Sequence, residues 1–241
     1  MQRTRAAGSR GGRARHGVGA YTRLRMLQTL LLLAVLGTDA SPAPVPAPSP
    51  ATSPVPAPPA QTEADEYTRY ELLGPGTGRF HILYEVTATT PGATRFFNPI
   101  RKGSVATDEI VRDRMTHRIL PISIVGGREA KAGGLADADP GERYIAVELP
   151  RPVPAEGGEV RLLIEKTYQD AKSYFVEGES VVFARGLFIK RNAVVLPAGY
   201  ELVSCNVPVQ VLTEADGRVA VSFMNPFPGE AAIVVKGRRL R

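Results

Sequence analysis

Residues 159–168 read EVRLLIEKTY, and the alternation in them limits the chain to one kind of backbone. Val160, Leu162, Ile164 and Tyr168 fall on one side, Arg161, Leu163, Glu165 and Thr167 on the other. A period of two is met by a strand and missed by a helix. The same period recurs from Arg79 to Thr87, where Phe80, Ile82, Tyr84 and Val86 oppose Arg79, His81, Leu83 and Glu85. Turn formers punctuate the runs. Gly74–Gly78 joins a strand over Tyr67–Leu73 to Arg79–Thr87, and Asp216-Gly217 closes a hairpin of Val209–Thr213 with Arg218–Asn225. Further strands are expected over Thr94–Pro99, Arg118–Val125, Arg143–Leu149 and Ala232–Lys236. Pro121 puts Arg118–Val125 at an edge, and Arg143–Leu149 is expected to pair with Glu159–Tyr168. Val181–Asn206 is expected inside an antiparallel sheet, its three runs broken by Gly186 and Pro197-Ala198-Gly199. One helix is allowed, over Thr107–Met115, with Thr107 as its cap and Asp108 and Glu109 in its first turn. The expectation is an all-β protein, an antiparallel β-sandwich over residues 63–241, either one large or two small, with at most one short helix.

The 62 residues before this region have a different character. Of 30 Lys and Arg in the 241-residue chain, seven arginines lie in the first 25 positions. Beyond residue 40 the remaining 23 basic residues balance 23 acidic ones. The net charge of +6 therefore belongs to the leader, and the rest carries no excess that would draw it to nucleic acid or an acidic membrane. Met26–Leu36 is an apolar run far shorter than the roughly 20 residues that cross a bilayer. With Thr38 and Ala40 as small residues after it, residues 1–40 read as an export signal, and the alternatives are an uncleaved anchor or a true start at Met26. Residues 41–62 are proline-rich, with nine prolines in 41–60. Such a segment favours extended polyproline II, a spacer of about 3.1 Å per residue. The chain is expected to be exported, to the periplasm, the cell surface or beyond, with no membrane-spanning domain.

No motif for catalysis accompanies this architecture. H-E-x-x-H, C-x-x-C, G-x-S-x-G and the phosphate-binding loops are all missing from the sequence. Cys205 is the single cysteine and reads as a small apolar core residue. His81 is expected to face water, and no two of the three histidines have the spacing of a metal site. The acids Asp137, Asp139 and Glu142 sit around Asp-Pro-Gly, a turn sequence rather than a calcium loop. The expectation is no catalytic residue, no cofactor and no metal. Arg95, Phe96, Phe97, Tyr174 and Phe175 are the residues expected to meet a partner, should their aromatic rings point outward.

The run from Gly157 to Tyr168, followed by SVVFARGLFIKRNAVVLPAGYE, resembles the non-catalytic β-rich amino-terminal domain of aminopeptidase-N-type metallopeptidases and related exported bacterial β-proteins. The resemblance spans Leu149–Gly237 and implies a saddle-shaped sandwich that supports substrate access in the full-length enzymes. The zinc-binding helix and glutamate-bearing motif of that family have no counterpart here, so no catalytic residue is carried over. The function expected is an exported, non-catalytic module with a binding or structural role in the cell envelope and a possible envelope protein partner. The alternatives are an accessory subunit or substrate-access domain for an envelope peptidase, or a hydrolase whose cleft gathers acids with a polarising arginine.

Overall fold

The computed structural model describes residues 60–241. The expected export signal and all but the last three residues of the proline-rich spacer lie outside the described residues. Fourteen strands and one short helix follow in order: β1 (Glu63–Leu72), β2 (Arg79–Ala88), β3 (Arg95–Ile100), β4 (Val105–Asp113), β5 (Ile122–Gly126), α1 (Gly127–Ala132), β6 (Arg143–Glu148), β7 (Val160–Gln169), β8 (Tyr174–Glu177), β9 (Ser180–Leu187), β10 (Arg191–Val195), β11 (Tyr200–Cys205), β12 (Gln210–Thr213), β13 (Val219–Met224) and β14 (Ala231–Arg239). They form a seven-stranded sheet ordered β12-β13-β10-β1-β2-β7-β4, a four-stranded sheet ordered β11-β14-β9-β8 and a three-stranded sheet ordered β3-β6-β5. One core is shared by all three: Phe80, Ile82 and Ile164 from the first, Phe183 and Ile233 from the second, Phe96 and Ile145 from the third. The protein is an all-β sandwich whose second layer is divided between two sheets.

The alternation does what the sequence analysis expects of it. Phe80, Ile82, Tyr84 and Val86 are buried, and β1 and β2 pair antiparallel from Leu72 opposite Phe80 outward. Phe183 is completely buried and stacks across the layers on Tyr70 and Phe80, with ring centroids 5.1 and 5.6 Å apart. A buried phenylalanine of this kind contributes roughly 1.5–3 kcal/mol through lost water contact.

Three expectations are corrected. First, Thr107–Met115 is not a helix. Residues 105–113 form β4, which covers the outer edge of β7, with Val111 buried and Ile110 exposed. The acids read as a helix start occupy a bulge between Thr107 and Ile110, with Asp108 at φ 59°. Asp113 ends the strand, accepting hydrogen bonds from the Met115 N–H at 2.9 Å and the Thr116 hydroxyl at 2.9 Å. The helix falls instead at Gly127–Ala132, where only glycine fits its first position: a Cβ on Gly127 would lie 1.7 Å from the Asp139 carbonyl oxygen.

Second, β6 and β7 do not pair. β6 is apolar on both faces, Ile145 and Val147 toward the main core and Tyr144 and Ala146 toward a smaller one with Phe97, Val125 and Ala130. It therefore sits centrally between β3 and β5, while β7 lies between β2 and β4. β5 is an edge strand, as Pro121 implies.

Third, Val181–Asn206 does not lie in one antiparallel sheet. β9 and β11 belong to the four-stranded sheet, and β10 crosses to the seven-stranded one, where it pairs parallel with β1. Asn192 through Leu196 are all nearly inaccessible to water, which suits a central strand.

On the outer face an ion network ties the β12–β13 turn to β1. Arg69 donates from both terminal nitrogens to Glu214, at 2.5 and 2.6 Å, and Arg218 bridges Glu71 and Asp216. The hydrogen bonds from Arg69 hold the Glu214 carboxyl below its usual range. Glu214→Gln should lower the unfolding free energy by about 1 kcal/mol at pH 7. The sign follows from a folded pKa below the unfolded one: the stabilisation is present above the ordinary value of 4.5 and fades as pH falls below it. Denaturant titrations at pH 7 and pH 3.5 should therefore show the difference shrinking in acid.

Candidate functional site

A pocket of about 530 Å³ opens where the divided layer leaves a seam. Its floor is the inner face of β1, β2 and β7, and their registers arrange the side chains in rows. Thr68, Tyr84 and Ile164 make one row, Tyr70, Ile82 and Lys166 the next, and Leu72, Phe80 and Tyr168 the third. Phe97, Asn98 and Pro99 of β3 form one wall, and Arg185 to Leu187 of β9 the other. Arg101 crosses between the walls, donating from Nη1 to the Gly186 carbonyl at 2.9 Å and from its backbone N–H to the Tyr168 hydroxyl at 3.1 Å. Phe188, 69% exposed, forms an apolar lip.

Lys166 is the pocket's most unusual occupant. The alternation that buries Ile164 and Tyr168 also turns Lys166 inward, and it is only 4% exposed. Its Nζ donates to Asn98 Oδ1 at 2.5 Å and lies 5.1 Å from the Tyr168 ring centroid. Among the described residues no carboxylate forms an ion pair with it. Burial first, and Arg185 second, bring its pKa down from 10.5 to about 7, opposed by Glu109 from the β4 bulge.

Arg185, also turned inward, is a second buried cation, but it is matched. Its Nη1 donates to Asp170 Oδ2 at 3.2 Å and to Ser173 Oγ at 3.1 Å, and its guanidinium packs on Phe80 and Tyr168. Burial alone would raise the Asp170 carboxyl. Hydrogen bonds from Ser173 and from the Lys172 and Ser173 amides, with the charge of Arg185, hold it below its usual range. The Thr68 hydroxyl is buried without a hydrogen-bond partner among the described residues.

Carboxylates mark the mouth. Glu66 accepts from the Tyr84 hydroxyl at 2.6 Å. Glu63 keeps contact with solvent, yet the recess around its carboxyl, then the charge of Glu66, push its pKa up to about 7. Glu142 and Glu230 also reach the pocket. The arrangement holds one unmatched cation and one neutralised cation deep inside, with acids at the entrance. Among the described residues no three His, Cys, Asp or Glu side chains gather as a metal site would need.

No protein-family model and no curated protein matches this chain. Solved structures similar to it include a putative protease from Parabacteroides distasonis, 13% identical with a TM-score of 0.38. Another is an M1 zinc metallopeptidase from Deinococcus radiodurans bound to a Tyr-Ser-Ala substrate, 12% identical with a TM-score of 0.40. The similarities cover 72% and 73% of this chain, which spans only 39% and 42% of those proteins. The functional reading below rests on the pocket.

The residues singled out from the sequence are dispersed. Phe96, Phe97 and Tyr174 are 1%, 4% and 0% exposed, so no outward aromatic patch runs across them. Phe96 and Phe97 are successive residues and both buried because β3 has the main core on one side and the α1 cluster on the other. Phe175 is half-buried, and Arg95 is exposed and paired with Glu148 at 2.7 Å. His81 lies on the outer face near Glu165 at 3.8 Å, His117 sits in the turn after β4, and Cys205 is half-buried on β11. Asp139 accepts the Gly141 N–H at 2.7 Å, the turn role expected of it. Of the residues named from the sequence for sites or metals, only Phe97 and Glu142 reach the pocket. The signal for the rest was a charged residue on an apolar face. Lys166 breaks the Val160-Leu162-Ile164-Tyr168 series, and Arg185 breaks Val181-Phe183-Leu187 in the same way.

Proposed function

We propose that this chain is an exported, non-catalytic binding module of the cell envelope. On this reading the sandwich follows a proline-rich spacer in sequence and takes a small polar ligand into the seam between its layers. The supporting observation is Lys166, a buried ammonium without a counter-charge facing an open pocket. A buried ion left unpaired opposes folding, and the core around it would pack as well with a methionine. Retaining a cation there makes sense when something enters to meet it. A second reading has its own support. Glu63, its carboxyl pushed up to about 7 by burial and then by the charge of Glu66, is the kind of group a hydrolase can use as an acid.

Both readings are tested by a thermal-shift screen of the full chain against a small-metabolite library. Ligands that raise the melting temperature and are recovered chemically unchanged support the binding module. A ligand consumed by the protein but not by Glu63→Gln supports the hydrolase, and a library without hits sinks both. Export predicts a mature amino terminus near Ser41 in the envelope fraction by mass spectrometry. Intact chains confined to the cytoplasm would overturn that part.

A further inference from the structure

We infer that the pocket is built for a monocarboxylate, its carboxylate seated against Lys166 and its apolar body lying among Ile82, Leu187 and Phe188. The inference rests on the reading of the pocket as a binding site and names what enters it.

Charge counting sets the valence. Arg185 already faces Asp170 at 3.2 Å, and Arg101, which keeps its charge while donating from Nη1 to a backbone carbonyl, lies exposed at the rim and not in the depth of the pocket. That leaves Lys166 as the one deep cation without an anion. An ammonium has three donors, and Asn98 Oδ1 takes one of them, leaving two for a carboxylate. Asn98 is neutral, so it orients the ammonium without cancelling its charge. The Thr68 hydroxyl, buried and without a partner, supplies a further donor on the same floor.

The mouth argues against a second negative charge. At the entrance Glu66, Glu142 and Glu230 outnumber the exposed Arg101 and Lys102, so a second anionic end reaching outward meets more like charge than opposite charge. The walls favour an apolar body, since Ile82, Leu187 and the exposed Phe188 line the way out from Lys166.

The test is calorimetric titration of the full chain at pH 6.5 with acetate, 3-phenylpropionate and N-acetylglycine, each beside its uncharged amide, and with succinate and sulfate. At least one acid should bind tenfold or more tightly than its amide, and tighter than either dianion. Lys166→Met should erase that preference. Asn98→Asp is the second variant: it keeps the lysine but places a carboxylate on it, and should also abolish acid binding. Circular dichroism checks that both variants fold. Amides binding as well as acids, a preference for dianions, or acid binding that survives in both variants would overturn the monocarboxylate while leaving a pocket that binds. If neither member of any pair binds, the pocket reading fails and this inference falls with it.

Discussion

Replacing Lys166 with methionine should make the protein more stable. The substitution keeps the length of the side chain and removes a charge that burial penalises and no carboxylate offsets. The groups that act on the ammonium are Arg185 from β9, Asn98, Tyr168 and, from the β4 bulge, Glu109. The charge with the larger effect is a cation, and it outweighs Glu109, so Lys166 gains little from its neighbours. Its fall from 10.5 to about 7 corresponds to roughly 5 kcal/mol of opposition to the charged form. The expected gain in the variant is about 2–4 kcal/mol at pH 6, after loss of the hydrogen bond to Asn98 is subtracted.

The pH dependence carries the same signature. Between pH 7 and 10.5 the unfolded chain holds a proton on Lys166 that the folded one has released, so wild-type stability rises with pH across that window. Below 7 both states hold it and this contribution is flat. The difference between wild type and Lys166→Met in urea titrations should therefore be largest at pH 6 and small near pH 10. A variant destabilised at pH 6, or a difference independent of pH, would show that the lysine finds a counter-charge in the folded protein.

Much of this fold could be read from side-chain alternation, and the pocket from its violations. β2 and β7 declared their buried faces because each has one polar and one apolar side. The partners of β6 are not legible because Tyr144, Ile145, Ala146 and Val147 are all buried, and a strand covered on both sides has no period to read. β4 looked helical because Thr107, Asp108 and Glu109 suit a helix start. The same short polar residues suit a bulge, and the edge of β7 required a partner. The seam between the three-stranded and four-stranded sheets was not legible at all. It arises from β9, β10 and β11 crossing between layers, a long-range arrangement that no local pattern encodes. Lys166 and Arg185 were legible as irregularities, but their meeting over Tyr168 required the register of β7 and the crossing of β9.

Asp170→Asn is the substitution expected to do most harm. Arg185 and Asp170 have side chains 6% and 11% exposed, so their ion pair is an interior one. Removing the anion leaves a guanidinium buried against Phe80 and Tyr168, which costs about 3–5 kcal/mol in comparable pairs. Asparagine can still accept the Lys172 and Ser173 amides through Oδ1, at 3.1 and 3.2 Å in the wild type. What it loses is the Oδ2 acceptor shared by Arg185, Ser173 and Ser104. The loss should therefore be electrostatic, and adding Arg185→Met should recover most of the stability in denaturant titrations. Because the Asp170 carboxyl is held below its ordinary 3.8, its contribution is present above that value and fades as pH falls through the folded pKa. Acid should erase the gap between wild type and Asp170→Asn. The pocket should change character too, since Arg185 would join Lys166 as an unmatched cation and sulfate or succinate should begin to compete with monocarboxylates. A cost below 1 kcal/mol would mean that water screens the pair, and the charge count that assigns one free cation to the pocket would no longer hold.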